Sequence, residues 1–304
     1  MGERRYDLVT VGNYTKDTIV TSAGTRHVDG GGFNYAAFAA VALGCKVAAI
    51  TRLSAEDAHV VDALRRAGID VFVKTTPTST LMRLEYPTAN LDERILTAAS
   101  TAGSFTTDQV RGVEARAFVI SPSIRGEVPI EVIQELRKKS GAKISADAQG
   151  FVRVREADGT LHHREWPERD AVLALIDVLK ADAVEAEALT GESDLRRAAR
   201  ALEEIGPREV VLSHRNGLVV LAEGKFHEAE FHSKSLVGRS GRGDTCLGSY
   251  LAARLGAPPA EATLWAVATT SLKLEAEGPV RRTRDEIAAF MQREYVTRHK
   301  VGHG

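Results

Sequence analysis

The 304-residue chain has only two cysteines, Cys45 and Cys246. Two thiols cannot build a disulfide framework or a cysteine-rich zinc site. Both lie among apolar or small residues and read as core positions, which points to a reducing, cytoplasmic setting. Net charge is nearly absent as well, since 40 Lys and Arg against 41 Asp and Glu leave −1. That balance excludes a protein whose main task is wrapping nucleic acid. The opening MGERRYDLVTVG lacks the apolar stretch and small-residue cleavage site of a signal peptide. The longest apolar run, Tyr35 to Leu43, is about half of a spanning segment, so no membrane partner is expected. There is no internal repeat, and the nine histidines show no metal-ligand spacing. What is there is an ordinary globular composition, 43% hydrophobic and 27% charged.

The pattern along the chain is β, hairpin, α, β, α, then strands, then alternating β and α. Tyr6–Gly12 reads as a buried strand ending in glycine. Thr18–Thr21 and Thr25–Val28 flank Ser22-Ala23-Gly24 as a hairpin. Gly30-Gly31-Gly32 opens an Ala-rich helix from Phe33 to Leu43, stopped by Gly44. From Asp70 to Ala98 no helix interrupts the strand-like runs, and these can pair with the early hairpin as a small separate sheet. Beyond Ala117, strands are expected at Ala117–Ile120, Lys143–Ala146, Ala181–Val184, Glu209–Ser213, Leu218–Ala222 and Lys225–His232. Helices are expected at Ile130–Ser140, Arg169–Leu179, Leu195–Ile205, Asp244–Leu255, Ala260–Glu275 and Asp285–Tyr295. Alternating buried strands and helices mean a mostly parallel sheet covered on its faces.

The most informative segment is Val237-Gly238-Arg239-Ser240-Gly241-Arg242-Gly243-Asp244-Thr245. Three glycines crowd a turn before an apolar helix. Small residues there let backbone N–H groups converge at the positive helix end, which makes an anion hole. A carboxylate at its edge, Asp244, fits a base that takes a proton from an attacking hydroxyl. The helix terminus is expected to keep Asp244 ionised. The alternative is a tight turn in which Asp244 is only a helix cap. No Gly-Lys-Ser/Thr follows, so this is not a Walker loop. Nor does it lie on the first βα turn, where a dinucleotide fingerprint belongs.

These residues resemble the C-terminal signature of the ribokinase-like (PfkB) carbohydrate kinases, Gly-Ala-Gly-Asp followed by a helix. Further segments agree in order. Gly12-Asn13-Tyr14-Thr15-Lys16-Asp17 resembles the first strand's glycine and the sugar-binding Asp after it. Gly30-Gly31 with Leu43-Gly44 resembles the N-terminal Gly-Gly signature. Asp182-Ala183-Val184-Glu185 resembles the Asn-x-x-Glu motif that organises Mg²⁺ and phosphate. Asn216-Gly217 resembles the nucleotide-side hairpin. The resemblance runs from about Tyr6 to Tyr295. It implies a ribokinase-like α/β domain over 1–304, doubly wound, with helices on both faces and a discontinuous β lid from about 13–30 and 70–98.

The resemblance also implies ATP·Mg²⁺-dependent phosphoryl transfer to a sugar or polyol hydroxyl. Asp244 is then the base, with the N–H groups of Gly241, Arg242 and Gly243 on the transferring phosphate and Glu185 and Asp182 on the metal side. Asp17, Asn13, Gly31, Gly32, Asn34, Asn90, Arg94, Asp147 and Gln149 are candidates for the acceptor. Ser213, Arg215, Gly217 and Lys273 are candidates for the nucleotide. Arg242 stands where Ala is usual and Asp182 where Asn is usual. Tyr35 stands where ribokinase has its sugar-binding Asn, which argues against ribose itself. The opening motif, the triple glycine and Asp147-Ala148-Gln149-Gly150 look most like the myo-inositol kinase branch. A nucleoside kinase, a sugar-phosphate kinase and a catalytically silent binding protein of the same fold are the alternatives. Dependence on a monovalent cation is left open, and the lid offers an edge for a homodimer.

Overall fold

A computed structural model describes residues 5–88 and 94–297. Nine strands form one large sheet. From one edge to the other they are β15 (Lys225–Glu230), β14 (Gly217–Ala222), β13 (Glu209–Ser213), β12 (Val178–Asp182), β9 (Lys143–Asp147), β8 (Glu114–Ile120), β1 (Arg5–Val11), β4 (Val47–Ser54) and β5 (Asp70–Thr76). The run from β13 to β5 is parallel, and β14 and β15 fold back antiparallel. A second sheet has the order β3 (Gly24–Gly30), β2 (Thr15–Thr21), β6 (Thr80–Glu85), β7 (Ile95–Ser100). A short ribbon pairs β10 (Arg153–Arg155) with β11 (Leu161–His163).

The helices are α1 (Gly32–Ala42), α2 (Ala58–Arg66), α3 (Thr107–Arg111), α4 (Ile130–Arg137), α5 (Gln149–Val152), α6 (Arg169–Leu173), α7 (Ala183–Thr190), α8 (Leu195–Ile205), α9 (Arg242–Arg254), α10 (Pro259–Leu274) and α11 (Arg284–Met291). They cover both faces of the large sheet, and two apolar cores result. Val9, Val11, Phe118, Ile120 and Val210 face α4 and α8, while Leu8, Val119, Val178 and Val211 face α1, α9 and α10. Among the described residues no helix is long and apolar enough to cross a membrane.

Two expectations are corrected. Asp70–Thr76 does not join the small sheet; it is the outer strand of the large one, beside β4. As an edge it leaves Phe72 and Val73 exposed, and the absence of a helix between it and the strands that follow is what groups it with the small sheet in the sequence. Arg169–Leu179 is not one helix. Val172, Leu173, Ile176 and Leu179 have helical spacing, but α6 ends at Leu173 and β12 begins at Val178. The expected strand over 181–184 gives way after Asp182 to α7, because Asp182 caps that helix. Its carboxylate accepts from Glu185 N–H at 2.8 Å, and the Glu185 carboxylate accepts from Asp182 N–H at 2.7 Å.

The small sheet is a cover over the strand ends. In β2 and β6 buried and exposed residues alternate. Met82, Leu84 and Ala98 pack on Ile124 and Leu161 of the body. The strand order switches direction between β8 and β1, and the carboxyl ends at such a point form a natural crevice. Asn13, Ser121, Asp147, Asp182 and Ser213 all lie at or just past the ends of their strands.

Candidate active site

The anion-binding turn is built from behind. Gly241 has φ +75°, in the left-handed region, and directly precedes α9. The Tyr35 ring lies where any Cβ on Gly241 would go. Conformation and space both demand glycine there. Arg242 N–H closes the turn on Arg239 O at 3.3 Å. Gly243 and Asp244 follow in the first helical turn, where N–H groups have no carbonyl partner within the helix. The Lys180 ammonium lies against Gly243 from below.

Lys180 is a charged residue in a buried strand, and it is 3% exposed. Its Nζ is 3.1 Å from Asp147 Oδ2 and 3.9 Å from Glu185 Oε2. Burial works against its charge, but Asp147, Glu185, Asp182 and Asp244 outweigh burial and raise its pKa. The same cluster governs the carboxylates. Burial, then the charge of Asp147, raises Asp244 to about 6, with Lys180 pulling the other way. Desolvation works against the ionised form that the helix end is expected to favour, yet at about 6 Asp244 is still largely ionised at neutral pH. Burial likewise lifts Glu185 to about 7 against the pull of Lys180.

Asp17 approaches from the lid. Its carboxylate lies where a Cβ on Gly30 would go, and the Asp244 carboxylate lies where a Cβ on Gly32 would go. The triple glycine is therefore a bare floor between the two carboxylates. Burial raises Asp17 to about 7; Thr15 and Arg153 lower it, and Asp244 and Asp29 raise it further.

Around this floor sit buried polar atoms that have no hydrogen-bond partner among the described residues: Asn13 Oδ1, Asp17 Oδ1, Tyr35 OH, Ser121 Oγ, Glu127 Oε1 and Arg153 Nε. Buried polar groups normally find partners, so a cluster of orphans marks a place for a polar ligand. Most of these atoms are acceptors, which suits a ligand rich in hydroxyl donors. Asn13 Nδ2 is held by Gly103 O at 2.9 Å, and Asn34 Nδ2 reaches Asp29 O at 3.2 Å. Gln149 is half-buried, its N–H donating to Asp147 Oδ1 at 3.0 Å.

The fold brings Asp17, Asn13, Gly31, Gly32, Asp147, Asp182, Glu185, Gly241, Arg242, Gly243 and Asp244 to one cleft. Asn90 lies outside the described residues. Arg94 is exposed, yet its charge is felt by Arg153 and Arg242. Ser213 is buried at the end of β13, and burial, then the charge of Arg242, depresses the His214 imidazole. Arg215 is exposed, and Gly217 begins β14 next to Ala229 O. Lys273, expected at the nucleotide, is instead buried beneath the turn and donates to Gly238 O at 2.5 Å.

Lys180, Glu127 and Arg153 went unnoticed in the sequence. For Lys180 the signal was present, a lone lysine inside an apolar strand. Arg153 follows Gln149 in the same short stretch. Glu127 carries no local signal, since only the fold brings it beside Asn13 and Arg153; burial raises it to about 7. Among the described residues no three His, Cys, Asp or Glu side chains are grouped to hold a metal ion. Asp182 and Glu185 are tied to each other by the cap of α7. They suit an ion carried mainly by phosphates and water, as Mg²⁺ usually is, rather than a protein cage.

Comparison with known proteins agrees with this geometry. A profile of the pfkB family carbohydrate kinases matches residues 4–285. A pyrophosphate-dependent kinase of the ribokinase family, solved with sulfate, is 35% identical with a TM-score of 0.86, covering 93% of this chain and 99% of that one. A structure of such a kinase with a pyrophosphate analogue and myo-inositol is 34% identical, TM-score 0.85, over 93% of this chain and 99% of that one. Arabidopsis thaliana ribokinase with ribose and ATP shares the fold at TM-score 0.75 and 17% identity, over 95% and 99%. With the profile spanning residues 4–285 and that degree of identity to a kinase, the chain belongs to the pfkB family of carbohydrate kinases.

Proposed function

We propose that the chain phosphorylates a hydroxyl of a neutral cyclic polyol of the myo-inositol type, with inorganic pyrophosphate as donor. The observation that carries the reaction type is the pair of carboxylates, Asp17 and Asp244, on either side of the glycine floor and beside the anion turn. Asp17, Asn13, Ser121 and Glu127 accept hydrogen bonds from acceptor hydroxyls. Asp244 takes the proton of the reacting one. Its oxygen forms a bond to phosphorus while the bond to the departing phosphate breaks, and the products are a polyol phosphate and orthophosphate. The N–H groups of the turn and the Lys180 charge beneath them hold the oxygens of the transferring group. Glu185 and Asp182 are the residues that would face a Mg²⁺ ion brought in with the donor, which would supply charge neutralisation there.

The family resemblance led to ATP as donor. Two things favour pyrophosphate. Burial lowers the pKa of Arg242 and of Arg153; the positive charges of Arg239 and Arg94 add to this at Arg242, and that of Arg94 at Arg153, so cationic groups gather beside the turn. Guanidinium groups suit the bidentate binding of a compact polyanion. The relatives at 34–35% identity are described as pyrophosphate-dependent. A donor panel decides: polyol phosphate forms with pyrophosphate and myo-inositol, and Asp244→Asn lowers kcat by about 10²–10⁴-fold. Product with ATP alone overturns the donor. Product only with nucleosides or sugar phosphates overturns the acceptor. No product with any donor overturns the enzyme in favour of a binding protein. The outer lid strand β3 is also the edge through which two copies would pair, and the mass in light scattering tests that.

A further inference from the structure

Lys273 lies near the C-terminal end of α10 and is 1% exposed. A buried ammonium needs partners or it loses its proton. Here Nζ donates to Gly238 O at 2.5 Å and also to Ser240 O. It stands 5.2 Å from the centre of the Tyr35 ring, the ring that fills the space behind Gly241. Burial lowers its pKa to about 8, with Glu277 and Asp244 favouring its charge and Arg242 opposing it. Two backbone carbonyls of one short loop and an aromatic face make a ligand set that also suits a potassium or ammonium ion. The loop they belong to, residues 238–241, is the one that leads into the anion turn.

We propose that the Lys273 ammonium is a built-in monovalent cation. It fills the carbonyl site behind the anion turn that an exchangeable K⁺ or NH₄⁺ would otherwise take, and it holds residues 238–241 in shape without one. Neutralising these carbonyls from inside keeps their negative ends from opposing an anion bound at the turn. Lys273 acts through the loop, so it is a positioning residue rather than a catalytic one. The inference rests on the proposed kinase reading only for its catalytic readout.

The test compares buffers in which K⁺ or NH₄⁺ replaces the bulky tetramethylammonium ion. For the wild type, kcat/KM changes by less than about twofold and the melting temperature is flat. Lys273→Met in tetramethylammonium loses about 10- to 100-fold in kcat/KM, somewhat less than removal of a direct oxyanion donor. K⁺ or NH₄⁺ restores most of that activity and raises the variant's melting temperature. Activation of the wild type several-fold by K⁺ overturns the proposal. So does a folded Lys273→Met whose melting temperature ignores both ions. If the variant does not fold in tetramethylammonium, refolding in K⁺ upholds the proposal and failure in both salts overturns it. The melting arm needs no turnover, so failure of this inference is separable from failure of the kinase reading.

Discussion

Asp244 must be ionised to take a proton, and its pKa of about 6 places the acid limb of the reaction. We expect kcat/KM to fall as pH drops through about 6. The charge of Asp147 is the largest contribution to that elevation after burial. Asp147→Asn therefore moves the limb to lower pH, read from the pH–rate profile of the two proteins. Asp17, proposed as a binding group rather than a reacting one, should behave differently. Its folded pKa of about 7 lies above the ordinary 3.8, so burial penalises its ionised form. The penalty is absent below pH 4, grows between 4 and 7, and is full above. Asp17→Asn should thus melt a few degrees higher than wild type at pH 8, match it at pH 4, and lose polyol phosphorylation. Thermal scans at the two pH values check the sign. These two carboxylates were legible in the sequence because each follows a glycine-bearing signature. Their environment was not, since Lys180, Arg153 and Glu127 come from three separate segments.

At the scale of elements, α9 holds Asp244 in its first turn and is anchored at its last. Tyr250 OH donates to Glu209 Oε2 at 2.6 Å, and Arg254 Nη2 to Glu209 Oε1 at 2.7 Å, tying the helix to β13. Arg254→Met leaves Glu209 buried with a missing counter-ion. We expect it to cost about 2–4 kcal/mol in urea unfolding, with kcat of the folded fraction unchanged. Loss of kcat without loss of stability would contradict the anchor role. Most helices and strands were legible from spacing: α8 and β13 fall where their apolar residues put them. The failures have one cause. Spacing tells how often a residue is buried and not what buries it. Asp70–Thr76 reads like lid because no helix separates it from the strands that follow, and spacing does not tell which sheet a strand joins. Arg169–Leu179 reads as one helix because its apolar positions keep helical spacing across the turn into β12.

For the molecule as a whole, the small sheet and the body each hold part of the site. Asp17 lies on lid strand β2, whereas Asp244, Lys180 and Arg153 belong to the body. Acceptor binding should therefore slow amide exchange in β2 and β6 more than in β13 and β14, seen by mass spectrometry with and without myo-inositol. Equal protection everywhere would mean that the lid plays no part in binding.

The glycine floor has a consequence for what ties cover to body. Asp17 and Asp244 share a sign, and the charge of Asp244 adds to the cost of ionising Asp17. Under the proposed reading, a polyol whose hydroxyls offer a proton to each carboxylate would bridge cover and body, so that the acceptor rather than the donor would be the ligand tying the small sheet to the large one.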